Sequence, residues 1–113
     1  MKKDTKVFLG HILESIEHVE AYIHGLRKDD FLNSEQKQDA VIRRIEIIGE
    51  AARNIPASFR KKHNHIPWKK IAGMRDKLAH DYFGVSLNVA WDVAKSDLPK
   101  LKKDIEKLLD ETE

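Results

Sequence analysis

The chain has 113 residues, 41% hydrophobic and 35% charged, with a formal net charge of only +2. That length suits one domain, residues 1–113, and buries roughly two-thirds of the unfolded surface, enough for a core of its own. The near-balance of charge argues against a protein that grips a long duplex by its phosphates. The absence of cysteine excludes disulfides, thiolate catalysis and cysteine-based zinc sites.

The chain opens MKKDTKVFLGHILESIEHVE. Its apolar stretch is interrupted by His11, Glu14, Glu17 and His18, so it does not read as a signal peptide. No run approaches the roughly 20 apolar residues of a membrane span, and the expected compartment is the cytoplasm. Leu9, Ile12, Ile16, Val19, Ile23 and Leu26 recur at alternating spacings of three and four, which predicts a helix from about residue 5 to 26. Asp4 or Thr5 is the expected cap. Gly25 and RKDDFLNS end it and form a connection, in which Asn33 and Gln36 have capping-box spacing. A second stripe, Val41, Ile45, Ile48, Ala52 and Ile55, predicts a helix running to about Asn54 and stopped by Pro56.

Two such stripes point to helices packed nearly antiparallel. ASFRKKHNHI, residues 57–66, reads as a short basic turn of helix and a loop. Pro67 then opens a helix PWKKIAGMRDKLAH as its first residue. Gly84 and Ser86 mark the next break, with Ser86 as cap. The last segment carries Leu87, Ala90, Ala94, Leu98, Leu101, Ile105 and Leu108, interrupted by Pro99. With Ser96 able to cap a new first turn, a kink or two abutting helices is expected there. No segment alternates with a two-residue period, so the class is all-α: an antiparallel helical bundle with a short additional helix.

The chemistry concentrates in MRDKLAHDYFGV, residues 74–85. On one continuous helix His80 lies about 140° around from Arg75, while Tyr82 returns to within about 20° of it. Arg75 and His80 therefore meet only if the helix unwinds, or if a two-fold dimer brings the patch from each chain into one cleft. Histidine exchanges protons near neutral pH. Arginine fits a phosphate with two parallel hydrogen bonds. Together they can promote attack of an RNA 2′-hydroxyl on its own phosphodiester without a metal ion. Asp76 can orient Arg75 or a neighbour, or be a solvated helix charge. The structural alternative is that a histidine near a helix C-terminus complements the dipole and a tyrosine packs with its hydroxyl at the rim.

Elsewhere, Glu46, Glu50 and Arg53 stand at helical spacing. They read as i,i+3 or i,i+4 ion pairs with Arg43 and Arg53 rather than paired catalytic carboxylates, with Glu50 also able to face the cleft and steer Arg75. Gly49 weakens its helix by about 1 kcal/mol against alanine, for which close helix approach is the expected reason. His63 and His65 lack a third metal ligand at useful spacing, and His11 and His18 are seven residues apart, too far for one ion. Arg60, Lys61, Lys62, Lys69 and Lys70 cluster around Trp68, either to guide RNA by charge or as a solvated face over a core tryptophan. Trp91 is expected in the core or at a dimer contact.

Arg75, His80 and Tyr82 match an Arg-x4-His-x-Tyr signature, and three longer stretches surround it in order: RRIEIIGEAAR, PWKKIAGMRDKLAHDYFGV and AWDVAKSDLPKLKKDIEKLL. Together they resemble the HepT family, the toxin half of a prokaryotic toxin–antitoxin pair within the HEPN superfamily. The resemblance spans nearly the whole chain. It implies a helical bundle, a homodimer, metal-independent endoribonuclease activity on RNA with no cofactor, and catalytic roles for Arg75 and His80. It also implies a minimal nucleotidyltransferase antitoxin, MntA, that transfers AMP from ATP to the motif tyrosine, here Tyr82. Relatives often carry Asn after the motif arginine; Asp76 here places an acid beside the phosphate-binding group. A non-catalytic module holding the nucleotidyltransferase or a nucleotide, and a purely structural helical dimer, are the competing readings.

Overall fold

The first two apolar stripes form two long helices, α1 (Lys3–Ile23) and α3 (Glu35–Asn54). The structure, a computed structural model, describes residues 2–78 and 86–111, apart from the side chains of Arg75 and Lys77. Leu9, Ile12, Ile16 and Val19 of α1 and Val41, Ile45, Ile48 and Ala52 of α3 are all fully buried. These stripes make α1 and α3 the principal packed pair of the bundle.

Helix α1 starts earlier than the stripe predicts, and neither Asp4 nor Thr5 caps it. Lys2 is the cap residue and offers no side-chain hydrogen bond. Thr5 lies four residues before Leu9, on the stripe's own face, and is buried. The helix ends at Ile23, where Gly25 takes the left-handed conformation (φ 76°) and the Leu26 N–H donates to the Ile23 carbonyl at 2.9 Å.

The predicted connection contains its own short helix, α2 (Lys28–Leu32). Phe31 anchors it in the core, with its ring centroid 5.4 Å from that of Trp91. The expected capping box of Asn33 and Gln36 does not form, and the cap of α3 lies one residue further on. Asn33 closes α2, donating from Nδ2 to the Asp29 carbonyl, while Ser34 caps α3 by accepting from the Lys37 N–H. Gln38 then ties the two helices together by donating from Nε2 to the Phe31 and Leu32 carbonyls.

After Pro56 come α4 (Ala57–Lys62), α5 (Trp68–Ala72) and α6 (Met74–Leu78). Pro67 is the cap of α5 rather than its first residue. The single helix predicted from residue 67 is interrupted at Gly73, whose φ of −91° and ψ of 3° leave the helical region. Trp68 and Ile71 before the break, and Met74 and Leu78 after it, all enter the core. The Trp68 indole N–H is satisfied by the His63 carbonyl at 3.0 Å.

Ser86 caps α7 (Leu87–Asp92) as expected, accepting from the Val89 N–H. Around Pro99 two helices abut, as expected, but through a π-helical turn and not through a cap at Ser96. A π-helical turn, Val93–Asp97, joins α7 to α8 (Leu98–Glu111), and the flanking residues keep helical dihedrals. The Leu98 N–H reaches five residues back to the Val93 carbonyl. One extra residue is absorbed just before a proline that has no N–H to offer the ladder. Lys102 of α8 donates to Glu20 of α1 at 2.7 Å, and that carboxylate holds the Lys102 ammonium above the usual lysine value. Among the described residues there is no strand, and no helix is long and apolar enough to cross a membrane.

Candidate active site

The motif helix α6 is positioned by a contact that depends on a missing side chain. Gly49, buried in α3, faces the end of α5, and a Cβ there would lie 3.3 Å from the Ala72 carbonyl oxygen. That is closer than a carbon ordinarily sits, so α5 rests against the α3 backbone itself. Helix α6 follows one residue later, and Met74 and Leu78 anchor it from inside.

From outside, α6 is tied to α3 by charge. Asp76 lies 3.7 Å from an Nη of Arg53, and the other Nη of Arg53 lies 3.9 Å from Glu50. The two acids singled out as supporting residues thus share one guanidinium, and Asp76 serves a neighbour on another helix. Both carboxylate side chains are more than two-thirds exposed. Each pair is therefore worth about 0.2–1 kcal/mol. Arg43 and Glu46 form the expected i,i+3 pair at 3.7 Å.

A groove of about 440 Å³ adjoins this network, lined by His11 of α1, by Arg43, Glu46, Glu50 and Arg53 of α3, and by Ala72 of α5. It is open and of mixed character, with Phe8 and Ile47 beside the anionic and cationic groups, and Arg53 of its lining is the residue paired with Asp76 of α6. Arg75 is carried on α6; its side chain, and His80 and Tyr82 entirely, lie outside the described residues. The described ends of that segment are joined: the Ser86 N–H donates to the Leu78 carbonyl at 2.9 Å. The chain therefore leaves α6 and returns for α7 at one place.

Other candidate groups have structural partners. His18 lies 3.6 Å from Glu14 and stacks on Tyr22, and His11 sits edge-on to Phe8. His63 packs against the Phe59 ring at 4.5 Å and against His65. Among the described residues no three His, Cys, Asp or Glu gather as metal ligands. Trp91 and Trp68 are core residues. The Arg53–Asp76 bridge is the feature that sequence reasoning missed. Its one trace in the chain is that Asp76 is the first acid after Glu50.

The described residues thus form an all-α bundle in which α6, the helix that carries Arg75, is held against α3 and α5. The model of the family described as HepT-like, ribonuclease HepT-like, matches residues 12–108, and the chain belongs to that family. It is 48% identical over 108 residues to a probable ribonuclease HepT of Thermococcus cleftensis, covering 96% of this chain and 98% of that protein. It is 58% identical over 111 residues to a Methanocaldococcus jannaschii protein named for a gamma-glutamylcyclotransferase and, provisionally, an RNase. That match covers 98% of this chain but spans only 50% of the relative. A second protein of that organism, provisionally named an RNase, is 42% identical over 112 residues, or 99% of this chain and 93% of its own. No solved structure gives a significant match.

Proposed function

We propose that this chain is a metal-independent endoribonuclease toxin that acts as a symmetric dimer, with Arg75 and His80 of both protomers lining one cleft. The observation that carries this reading is the family match over residues 12–108, a span that includes positions 75, 80 and 82. In the reaction, the RNA 2′-oxygen bonds to the adjacent phosphorus as the P–O5′ bond breaks. One proton leaves the attacking hydroxyl and one reaches the departing oxygen, and His80 is the group that exchanges protons at neutral pH. Arg75 neutralises the extra charge on the phosphorane. No cofactor takes part. Glu50 and Asp76 support the site through Arg53, which keeps the Asp76 carboxylate engaged next to the phosphate-binding arginine.

The partner in this reading is an MntA-like minimal nucleotidyltransferase antitoxin, meeting the toxin in the cytoplasm. The Tyr82 hydroxyl attacks the α-phosphate of ATP, pyrophosphate leaves, and AMP remains on the ring. A bulky anion two residues from His80 then occupies the space and repels the charge of an incoming RNA phosphate. The test is cleavage of RNA in chelator by the wild type, Arg75→Ala and His80→Ala, with mass spectrometry after incubation with antitoxin and ATP. Cleavage lost in both variants, and an AMP adduct absent from Tyr82→Phe, are the expected results. A wild type that binds the nucleotidyltransferase but never cuts RNA would instead make this chain a non-catalytic binding module.

A further inference from the structure

Residues 51–75 contain seven Lys and Arg and no Asp or Glu, so the rest of this nearly neutral chain is net acidic. The fold gathers part of that run. Arg60 of α4 and Lys69 and Lys70 of α5 line one open cavity of about 590 Å³, floored by Ile66, Pro67 and Trp68. None of its lining residues is acidic. Lys69 and Lys70 are exposed, and among the described residues no ion pair engages any of the three cations. The Arg60 Nε is buried and finds no hydrogen-bond partner among the described residues.

This contrasts with the groove beside α6, where Arg43 and Arg53 are each matched to carboxylates. Lys70 also borders a second cavity that holds Asp97 and Asp104, but within this one Arg60, Lys69 and Lys70 share the lining with no acid, and an anion entering it relieves their mutual repulsion. We propose that this cavity binds backbone phosphates of single-stranded RNA, at a site separate from the Arg75–His80 centre. The assignment rests on the reading that the chain acts on RNA. Arginine and lysine around an apolar floor suit a sugar–phosphate backbone without selecting a base. Helix α5 links the two places: Lys69 and Lys70 line the cavity, and Ala72 lines the groove. Five residues of helix span only about 7.5 Å, so the two places lie close together along the chain.

The experiment uses the full-length chain as His80→Ala, which keeps the RNA intact. Binding of a labelled single-stranded oligoribonucleotide is followed by anisotropy across a salt series, with and without Lys69→Gln/Lys70→Gln. Both lysines are exposed, so folding is retained, and a melting curve verifies it. The double variant is expected to bind roughly tenfold more weakly, with a log–log salt slope shallower by about 1.4, two contacts at about 0.7 each. In the His80-containing protein the same pair of changes leaves cleavage of a dinucleotide unaltered while slowing that of the long strand. An unchanged salt slope, or equal losses on long and short substrates, overturns the proposal. A wild type that binds with the expected slope yet cuts neither substrate leaves the phosphate site standing and ends the nuclease reading.

Discussion

The two faces of α3 are built on opposite rules. Its apolar stripe, Val41 to Ile55, is filled with side chains that reach zero or near-zero exposure. On the side that meets α5, the close contact depends on Gly49 having no side chain, and the neighbouring tie to α6 pairs a half-exposed arginine with a largely exposed carboxylate. Removing atoms should damage the first face, and adding them should damage the second. The difference matters for function because the first face holds the bundle together while the second sets the position of the helix that carries Arg75.

The strongest way to break this comparison is Ile45→Ala in the stripe. Ile45 is completely buried, so truncation leaves a cavity and should cost about 2–5 kcal/mol in a denaturant titration. A loss below 1 kcal/mol would mean that the stripe is not the core. Next comes Gly49→Val. With a Cβ already 3.3 Å from the Ala72 carbonyl, two further methyls force α5 away from α3. Overpacking of this kind costs about 1–3 kcal/mol. RNA cleavage is expected to fall beyond what the lost stability explains, since α6 moves with α5. Full activity in a folded Gly49→Val protein would detach the glycine contact from the site.

A smaller effect sharpens the second face. In a cycle of Arg53→Met, Asp76→Asn and the double variant, the coupling read by denaturation should be about 0.2–1 kcal/mol and fade at high salt. Cleavage makes the same cycle more informative. If Arg53 acts by engaging Asp76, Asp76→Asn rescues the loss caused by Arg53→Met. If Arg53 contacts RNA itself, that loss persists. The smallest effect belongs to the Lys102–Glu20 pair between α8 and α1. The carboxylate raises the lysine above its ordinary 10.5, so its contribution is fully present below that pH and disappears as pH rises through the raised value. Lys102→Met should therefore lower the melting temperature slightly at neutral pH, and the gap to wild type should close in strong alkali. A gap that stays constant through that range would assign the effect to packing of the lysine stem.

Much of this architecture can be read along the chain. The stripes of α1, α3 and α8, the stop at Pro56, the Ser86 cap and the close approach at Gly49 all follow from local spacing and residue type. The errors have one source, a side chain finding a better use than its local pattern foretells. Thr5 turns inward with Leu9 instead of capping. Phe31 enters the core and draws the connection into α2, which moves the α3 cap from Asn33 to Ser34. Ahead of Pro99 the helix winds into a π-turn, which keeps Leu98, Leu101 and Ile105 on the buried side without a break. At the candidate site, the residue types and their order are legible, and so is the Glu50–Arg53 pair at i,i+3. The Arg53–Asp76 bridge is not, because 23 positions separate its members and many other cations stood available to either acid.

Sequence alone determined the helical class, the apolar faces, the family and the unbroken basic run, because each is written among neighbours three or four residues apart or in an uninterrupted string. Tertiary structure alone decided that α5 lies on the bare backbone of Gly49, that Arg53 reaches across to Asp76, that Leu78 and Ser86 are joined, and that Arg60 lines one cavity with Lys69 and Lys70. Those contacts join helices whose relative placement is set by filling one common core, and no local spacing records which of several equivalent surface charges will end up facing one another.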